Sequence, residues 1–443
     1  MSLQNFFSAK NLVNLIFLLI PISYIAGNLL LNLNIIILII FVFSIYRFET
    51  FKISIGFLDK LIIIFFIYLI ANGLYNNYFN FDYPDAPKQN IILSKSFLFL
   101  RYFFLYFVLR FLLQKNIVEF KLIFLIFGSC SLFVSIDLLI QFYFGSDLFG
   151  FEGGGRRLAG PFGDEYIAGS YVQRLFIFLV FFLLILEKIY EKKFIFYISF
   201  ILIIFLNLFG ILFSGNRIPL VLSLMMLGLL FLYQKSLRRV LVVLFISFFM
   251  GVSYFVNTNQ NISNHFASFK TRSYETLEYV AKRVTQNQVL SSNTYIKEIE
   301  SGILTWQENK YLGGGIKSFF WNCNNIDRDK MINFVTKKGK VNCNTHPHNY
   351  YLEIGAELGF VGITLILSIF ILIIFKSLKV LNNPGKHLQR RELLIPFFII
   401  FIVEIFPIKT TGSFFTTTNS TFLFIIIAFI VGLLESKSLR RIL

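Results

Sequence analysis

Charged residues are scarce in this chain, at 15% of 443 residues, and it contains only three cysteines and nine prolines. So little charge excludes an ordinary soluble domain, in which about a quarter of the residues are charged. Three cysteines are too few for a disulfide scaffold. The sequence also lacks CxxC and HExxH metal signatures, so nothing in it predicts a metal site.

Apolar residues dominate the composition. Hydrophobic residues make up 56% of the chain, and its mean hydropathy is +0.71. Long apolar runs predict an all-α polytopic membrane protein embedded in a lipid bilayer. About twelve runs approach the ~20 residues that a helix needs to cross the hydrocarbon core. Their rough limits are 11–28, 30–46, 60–76, 93–113, 120–144, 167–187, 194–213, 218–234, 240–257, 349–375, 392–408 and 419–435.

The net charge of +17 does not indicate nucleic-acid binding, because the cations lie in short clusters between apolar runs. Alternate connections are the basic ones, which is how membrane topology is encoded. This alternation predicts an even number of spans with both termini in the cytoplasm. The first run follows Lys10 and is followed at once by further spans, so we interpret it as a retained helix and not a cleaved signal peptide.

The connections on the other side include one long polar segment, 257–347. Apolar residues recur in it at Ile296, Ile299, Ile303 and Trp306. That spacing predicts an amphipathic helix lying over the membrane face.

His348 stands where this polar segment meets a long apolar run. Eleven residues at about 100° each would bring Gly359 within roughly 20° of the direction of His348 on one continuous helix. We therefore expect His348 on the first turn of a membrane helix, above a groove of small residues that includes Gly359 and Gly362. A neutral imidazole there can accept a proton from a hydroxyl. The alternative role is a structural hydrogen bond at the helix start. His346 is the weaker candidate because it precedes Pro347.

Arg156 and Arg157 in a glycine-rich connection and Arg217 at a helix start lie in outward positions that the positive-inside rule disfavours. Arg101 lies toward the outer half of the fourth span, where an ionisable group usually faces a cavity. Guanidinium groups bind phosphate bidentately, and helix starts add amide donors. An outward anion site is therefore predicted. The alternatives are contacts with lipid headgroups or pairing with a carboxylate, for which Glu404 is a candidate.

Cys323 and Cys343 both fall in the long outward segment, with 19 residues between them. An oxidising compartment would allow a disulfide that fixes the chain leading into His348.

Together these motifs resemble the bacterial O-antigen ligase and polymerase family over roughly residues 150–435. The ligase pattern of His-Asn, nine residues, Gly, two residues and Gly is similar to His348-Asn349, Gly359 and Gly362. Ser214-Gly-Asn-Arg217 is similar to the family's helix opening, and Tyr311 to Phe319 looks like its glycine turn. Arg157 to Phe162 resembles its Arg-x-x-Gly-x-Phe loop, although Asp164-Glu165 replaces the Asn that often follows.

The resemblance implies a GT-C-like, metal-independent glycosyltransferase without a cofactor in the bacterial inner membrane, with its active site facing the periplasm. Residues 1–150 would form N-terminal transmembrane helices. Residues 151–435 would form the catalytic membrane region, with 257–347 a large periplasmic loop between helices nine and ten. Residues 436–443 would be a cytoplasmic basic tail.

The implied donor is a glycan on undecaprenyl diphosphate, and the implied acceptor is lipid A-core for a ligase or another repeat unit for a polymerase. His348 would be the catalytic base, and Arg157, Arg217 and Arg101 would bind the diphosphate. The supporting residues would be Asn349, His346, Arg156, Gly359 and Gly362.

A twelve-span transporter or flippase is the alternative from another class. Transporters carry polar sites near mid-membrane and usually show internal repeats. Here the polar groups gather on the outward side, which favours the enzyme.

Overall fold

The computed structural model of the protein describes residues 8–79, 90–154, 157–190, 193–285, 293–326, 343–382, 388–409 and 412–435. Within these ranges the regular structure is helical, apart from two isolated bridges between residues 146 and 157. The all-α membrane class is therefore confirmed. In chain order the α-helices are α1 Ala9–Leu18, α2 Ile20–Ile25, α3 Asn28–Tyr46, α4 Phe57–Phe79, α5 Ile91–Gln114, α6 Phe120–Phe144, α7 Ala168–Tyr190, α8 Lys193–Phe213, α9 Arg217–Tyr233, α10 Arg238–Thr258, α11 Gln260–Thr285, α12 Thr294–Glu308, α13 Phe319–Asn324, α14 Tyr350–Leu381, α15 Leu388–Glu404 and α16 Thr417–Glu435.

Nine helices in the described part of the chain are long and apolar enough to cross a membrane. Two further apolar segments, Ala9–Ile25 and Arg217–Tyr233, are shorter. The first is divided into α1 and α2 beside Pro21, which lies in the first turn of α2. The structure therefore supports a multi-pass membrane protein, while the count of twelve spans stays a prediction.

Burial separates central helices from peripheral ones. In α16, 83% of the most apolar 18-residue stretch is buried inside the protein. In α7 the share of that stretch is 72%. The corresponding share for the segment Lys235–Thr258, which contains α10, is only 17%. The exposed apolar faces of α10 suit lipid tails, whereas α16 is surrounded by protein. Aromatic packing contributes to this centre, with the Phe397 and Phe429 rings stacked at 4.7 Å.

One pair of oppositely charged side chains is buried within the spans, where the low dielectric favours pairing. Arg110 on α5 contacts Asp59 on α4 through two hydrogen bonds of 2.9 and 3.1 Å. Tyr106 donates a third to the same carboxylate. All three side chains are buried, so this group is structural.

The polar connections converge at one end of the bundle, which we call the loop end. It comprises the described parts of 145–167, 214–217, 259–349 and 405–416. Leu158 N donates to Ser214 O, Arg217 to Ser268 Oγ, Asn349 Nδ2 to Pro407 O and Lys317 Nζ to Ser413 Oγ, so four separate connections meet here. The amphipathic helix predicted inside the long segment is α12, which begins at its cap Asn293.

Candidate active site

The turn before α14 sets the position of His348. Asn349 is the N-cap, because its Oδ1 accepts hydrogen bonds from Tyr351 N and Leu352 N. His348 therefore precedes the helix, with a left-handed backbone at φ 51°. The expectation that His348 sits on the first helical turn is wrong, because the chain turns away from helical geometry at this residue.

Gly359 also departs from the helix, with φ 65° and ψ −165° inside α14. A Cβ atom there would lie 2.3 Å from Tyr311 O. The glycine thus permits a close approach of the turn at 311–315, and no continuous helical stripe connects it to His348. Gly362 has a local role, since its added Cβ would meet Leu358 at 2.3 Å.

The break in α14 leaves backbone groups without helical partners, and the turn at 311–315 and the residue before it bond to them. Phe360 N donates to Lys310 O at 2.8 Å, and Gly315 N donates to Glu357 O at 2.7 Å. Gly313 has φ +72°, and an added Cβ would lie 2.4 Å from the backbone of Glu357. The turn and the helix break are therefore one structural unit.

A carboxylate from α12 faces His348. Glu298 Oε1 lies 3.7 Å from His348 Nε2 and accepts a 2.7 Å hydrogen bond from Asn344. Burial raises the pKa of the Glu298 carboxyl, whereas His348 and the Asn344 amide act against that change. The His348 side chain is 35% exposed, so a substrate can reach it. The His346 ring lies beside it, with 4.3 Å between ring centroids.

Two carboxylates of α14, Glu353 and Glu357, also contact residues of the loop end. Glu353 accepts hydrogen bonds from Ser413 Oγ and Phe414 N, and it lies 3.8 Å from Lys317 Nζ. Glu357 accepts from Lys317 N at 2.8 Å. Both carboxylates are fully buried. Lys317 therefore joins the glycine turn to α14 and to the connection before α16.

A buried ionic cluster holds the start of α14 from its other side. Arg174 on α7 contacts Glu404 at 2.6 Å, and Lys409 Nζ contacts the same carboxylate at 2.8 Å. Tyr350 OH donates to Glu404 at 2.9 Å. Burial lowers the pKa of the Lys409 amine to about 8, although Glu404 opposes that change. Asn349 and Tyr350 are thus both tied to the segment 404–409, which limits movement beside His348.

Arg217 lines a cavity of about 440 Å³ at the loop end. Its guanidinium donates to Ser268 Oγ and lies 6.0 Å from the centroid of the Phe269 ring, both on α11. Other polar lining comes from Gln141, Asn216, Asn259 and Asn261. The apolar lining includes Leu220, Val221, Leu224, Phe248, Phe249 and Val252. One cavity therefore offers a cation and amides together with an apolar wall.

The Arg157 loop lies against the same cavity. Leu158 lines it, and Leu158 N donates to Ser214 O at 3.2 Å. Arg157 is half-buried and forms an isolated bridge with Gly154. Arg156 lies outside the described residues. Arg157 and Arg217 thus belong to one neighbourhood of the fold.

Arg101 has a different environment. Its Nη2 donates to Tyr102 OH at 2.7 Å and reaches Thr417 Oγ1 at 3.4 Å, at the start of α16. Its guanidinium also lies 4.5 Å from the centroid of the Tyr102 ring. These contacts place it at the junction of α5 and α16.

Cys323 and Cys343 form a disulfide with their Cα atoms 5.7 Å apart. Cys323 packs with Phe319 and Ala356, so the bond connects the loop end to the first turns of α14. In the ranges that the structure describes, no three His, Cys, Asp or Glu side chains gather as a metal would require.

Sequence reasoning missed Arg174, Glu298, Lys317 and Lys409. Arg174 carried a signal, since an arginine inside an apolar run calls for a partner. Glu298 carried another, because it lies among the isoleucines of the amphipathic helix. The candidate pairing of Glu404 with an arginine is realised by Arg174.

The fold and the site define a multi-pass helical membrane protein with acid, base and guanidinium groups concentrated at one end. Residues 200–367 match the family model described as O-antigen ligase. The match spans Arg217, Glu298, Lys317 and His348, and it confirms the resemblance over these residues. The family implies a membrane glycosyltransferase-like enzyme of the O-antigen ligase or polymerase type, acting on lipid-linked glycans. No curated protein matches the chain.

Proposed function

We propose that the protein is an O-antigen ligase that transfers a glycan from undecaprenyl diphosphate to a hydroxyl of lipid A-core at the periplasmic face of the inner membrane. The observation that carries the proposal is the position of His348. Its accessible imidazole lies inside the family segment, beside the buried Glu298 carboxylate and directly before the N-cap of α14.

The donor binds in the cavity beside Arg217. A lipid diphosphate needs cations and amide donors for its phosphates and an apolar surface for its tail. The lining of the cavity offers both. Arg157, next to Leu158, adds a second cation. Arg101, at the α5–α16 junction, does not line this cavity. Asn293 joins α12, which carries Glu298, to α11, whose Ser268 and Phe269 contact Arg217, because it caps α12 and donates to Arg272 O.

The reaction is a displacement at the anomeric carbon. The acceptor oxygen forms the new bond as its proton passes to His348, and the bond from the anomeric carbon to the diphosphate oxygen breaks. The electron pair leaves with the diphosphate, whose charge the arginines stabilise. General-base help of this kind is worth about 10²–10⁴ in rate. No step requires a divalent metal, so the enzyme should work in EDTA.

The test is transfer in vitro from an undecaprenyl-diphosphate glycan to lipid A-core. His348→Ala should lose transfer by about 10² or more, the share that a general base supplies. Donor binding should remain near wild type, because the imidazole acts on the acceptor. His346→Ala serves as the matched control and should lose much less.

Wild-type transfer by His348→Ala would remove the catalytic role and leave the histidine as a structural residue. If purified protein extends a lipid-linked glycan by another repeat unit but does not modify lipid A-core, the polymerase assignment replaces the ligase.

A further inference from the structure

We propose that Glu298 is the positioning residue of the catalytic base, holding the His348 imidazole and stabilising the imidazolium that forms during transfer. This inference rests on the proposed function, because it assigns a partner to the same histidine. Glu298 touches the histidine and not the substrate, so its action is indirect.

The geometry of the two side chains carries the inference. Glu298 Oε1 lies 3.7 Å from His348 Nε2, within ion-pair range. With Nε2 turned toward the carboxylate, Nδ1 is the nitrogen that takes the acceptor proton. The resulting imidazolium has two N–H donors, and a small shortening of the 3.7 Å separation lets Nε2–H donate to Glu298. A carboxylate that accepts from one ring nitrogen orients the other and stabilises the cation.

Glu298 is fixed before the reaction. It is 5% exposed, and Asn344 Nδ2 donates to its Oε1 at 2.7 Å. The backbone behind it is also held, because a Cβ at Gly302 would lie 3.0 Å from Pro347. Helix α12 therefore packs directly on the residue that precedes His348. These contacts keep the carboxylate and the imidazole side by side.

The other ionisable side chains near His348 either bond to other partners or carry no negative charge. Glu353 interacts electrostatically with His348, but its oxygens accept from Ser413 and Phe414, and Lys317 lies beside it. The His346 ring lies beside His348 at a tilt of 55° and supplies no negative charge. Glu298 is the carboxylate whose described contacts are with Asn344 and His348, so its charge acts directly on the imidazole.

The test compares Glu298→Gln, Glu298→Asp and Glu298→Ala in the transfer assay. Glu308→Gln is the matched control, since it makes the same chemical change at an exposed position of the same helix. Glu298→Gln should lower kcat about 10- to 100-fold, a part of what a general base contributes, with the donor KM unchanged. Glu298→Asp should recover part of the loss. Added formate should partly restore kcat in Glu298→Ala but not in His348→Ala.

Three results would overturn the inference. One is wild-type kcat in Glu298→Gln while His348→Ala is inactive, which would leave the proposed function standing. Another is a higher donor KM with kcat unchanged, which would indicate weaker donor binding. A third is a lowered thermal midpoint in Glu298→Ala with no response to formate, which would make Glu298 a packing residue. Full activity of His348→Ala would instead reject the proposed function itself.

Discussion

Arg174 in α7 and Arg217 at the start of α9 have different surroundings. Arg174 is 4% exposed and bound by Glu404 and Asn419, so its charge is used within the protein. Arg217 lines an open cavity that also has an apolar wall. The same residue type therefore forms a buried ion pair at one position and lines a cavity at the other.

Arg217→Lys keeps the charge but loses the planar fork that holds two phosphate oxygens. Hydrogen bonds to charged groups are worth about 1.5–3 kcal/mol, so donor affinity should fall about 10- to 100-fold. Binding of undecaprenyl diphosphate to the purified variant measures this loss. Arg238→Lys is the control, because Arg238 bonds the carbonyls of Phe231 and Leu232 at the opposite end of α9. Equal donor affinity in Arg217→Lys and wild type would reject the cavity as the donor site.

Helix α14 is the element on which the loop end is assembled. Its start is tied to the segment 404–409, its first turns carry Glu353 and Glu357, and its break at Gly359 receives the glycine turn. A straight helix would leave no room for Tyr311. The break therefore positions Lys317, and with it the connection that leads to α16.

Gly359→Ala should destabilise the protein. Its positive φ is strained for alanine, and the added Cβ would lie 2.3 Å from a backbone oxygen that cannot rotate away. Overpacking of this kind costs about 1–3 kcal/mol, so the thermal midpoint in detergent should fall, and transfer with it.

Gly228→Ala is the matched control within α9, because nothing lies within 4 Å of its added Cβ. Alanine favours a helix over glycine by about 1 kcal/mol, so this variant should be neutral or slightly stabilised. Equal midpoints for the Gly359 and Gly228 variants would mean that the break in α14 is not required.

At the scale of the whole molecule, clusters of lysine and arginine form bands in alternate connections between the predicted spans. These clusters are Arg47, Lys52 and Lys60; Lys115 and Lys121; Lys188, Lys192 and Lys193; Lys235, Arg238 and Arg239; Lys376, Lys379, Lys386, Arg390 and Arg391; and Lys437, Arg440 and Arg441. Such bands remain in the cytoplasm during insertion. The proposed orientation therefore places both termini inside and the loop end outside.

Fusion reporters test this orientation. Alkaline phosphatase joined after Asn259 should be active, because that enzyme folds in the periplasm. The same reporter joined after Lys235 is the control and should be inactive. A fluorescent protein at the C terminus should fluoresce. The reverse pattern would place the site in the cytoplasm and contradict the periplasmic assignment.

The sequence by itself determined the membrane class, most of the helices and the family of the segment 200–367. Apolar runs specify helices locally, since a backbone in lipid must satisfy its own hydrogen bonds. The His-Asn and glycine spacing is also a local signal. The angular argument from His348 to Gly359 failed because it assumed a continuous helix, and a glycine at positive φ ends that continuity.

Only the tertiary structure decided which charges meet. Arg174 and Glu404 are 230 residues apart in the chain, and no local pattern connects them. Glu298 reaches His348 because α12 packs on the start of α14, and the cavity at Arg217 exists because α11 lies across the end of α9. Hydropathy fixes where a helix runs, but its rotation and docking depend on side-chain packing between distant segments. The chemistry of the loop end arises from those contacts.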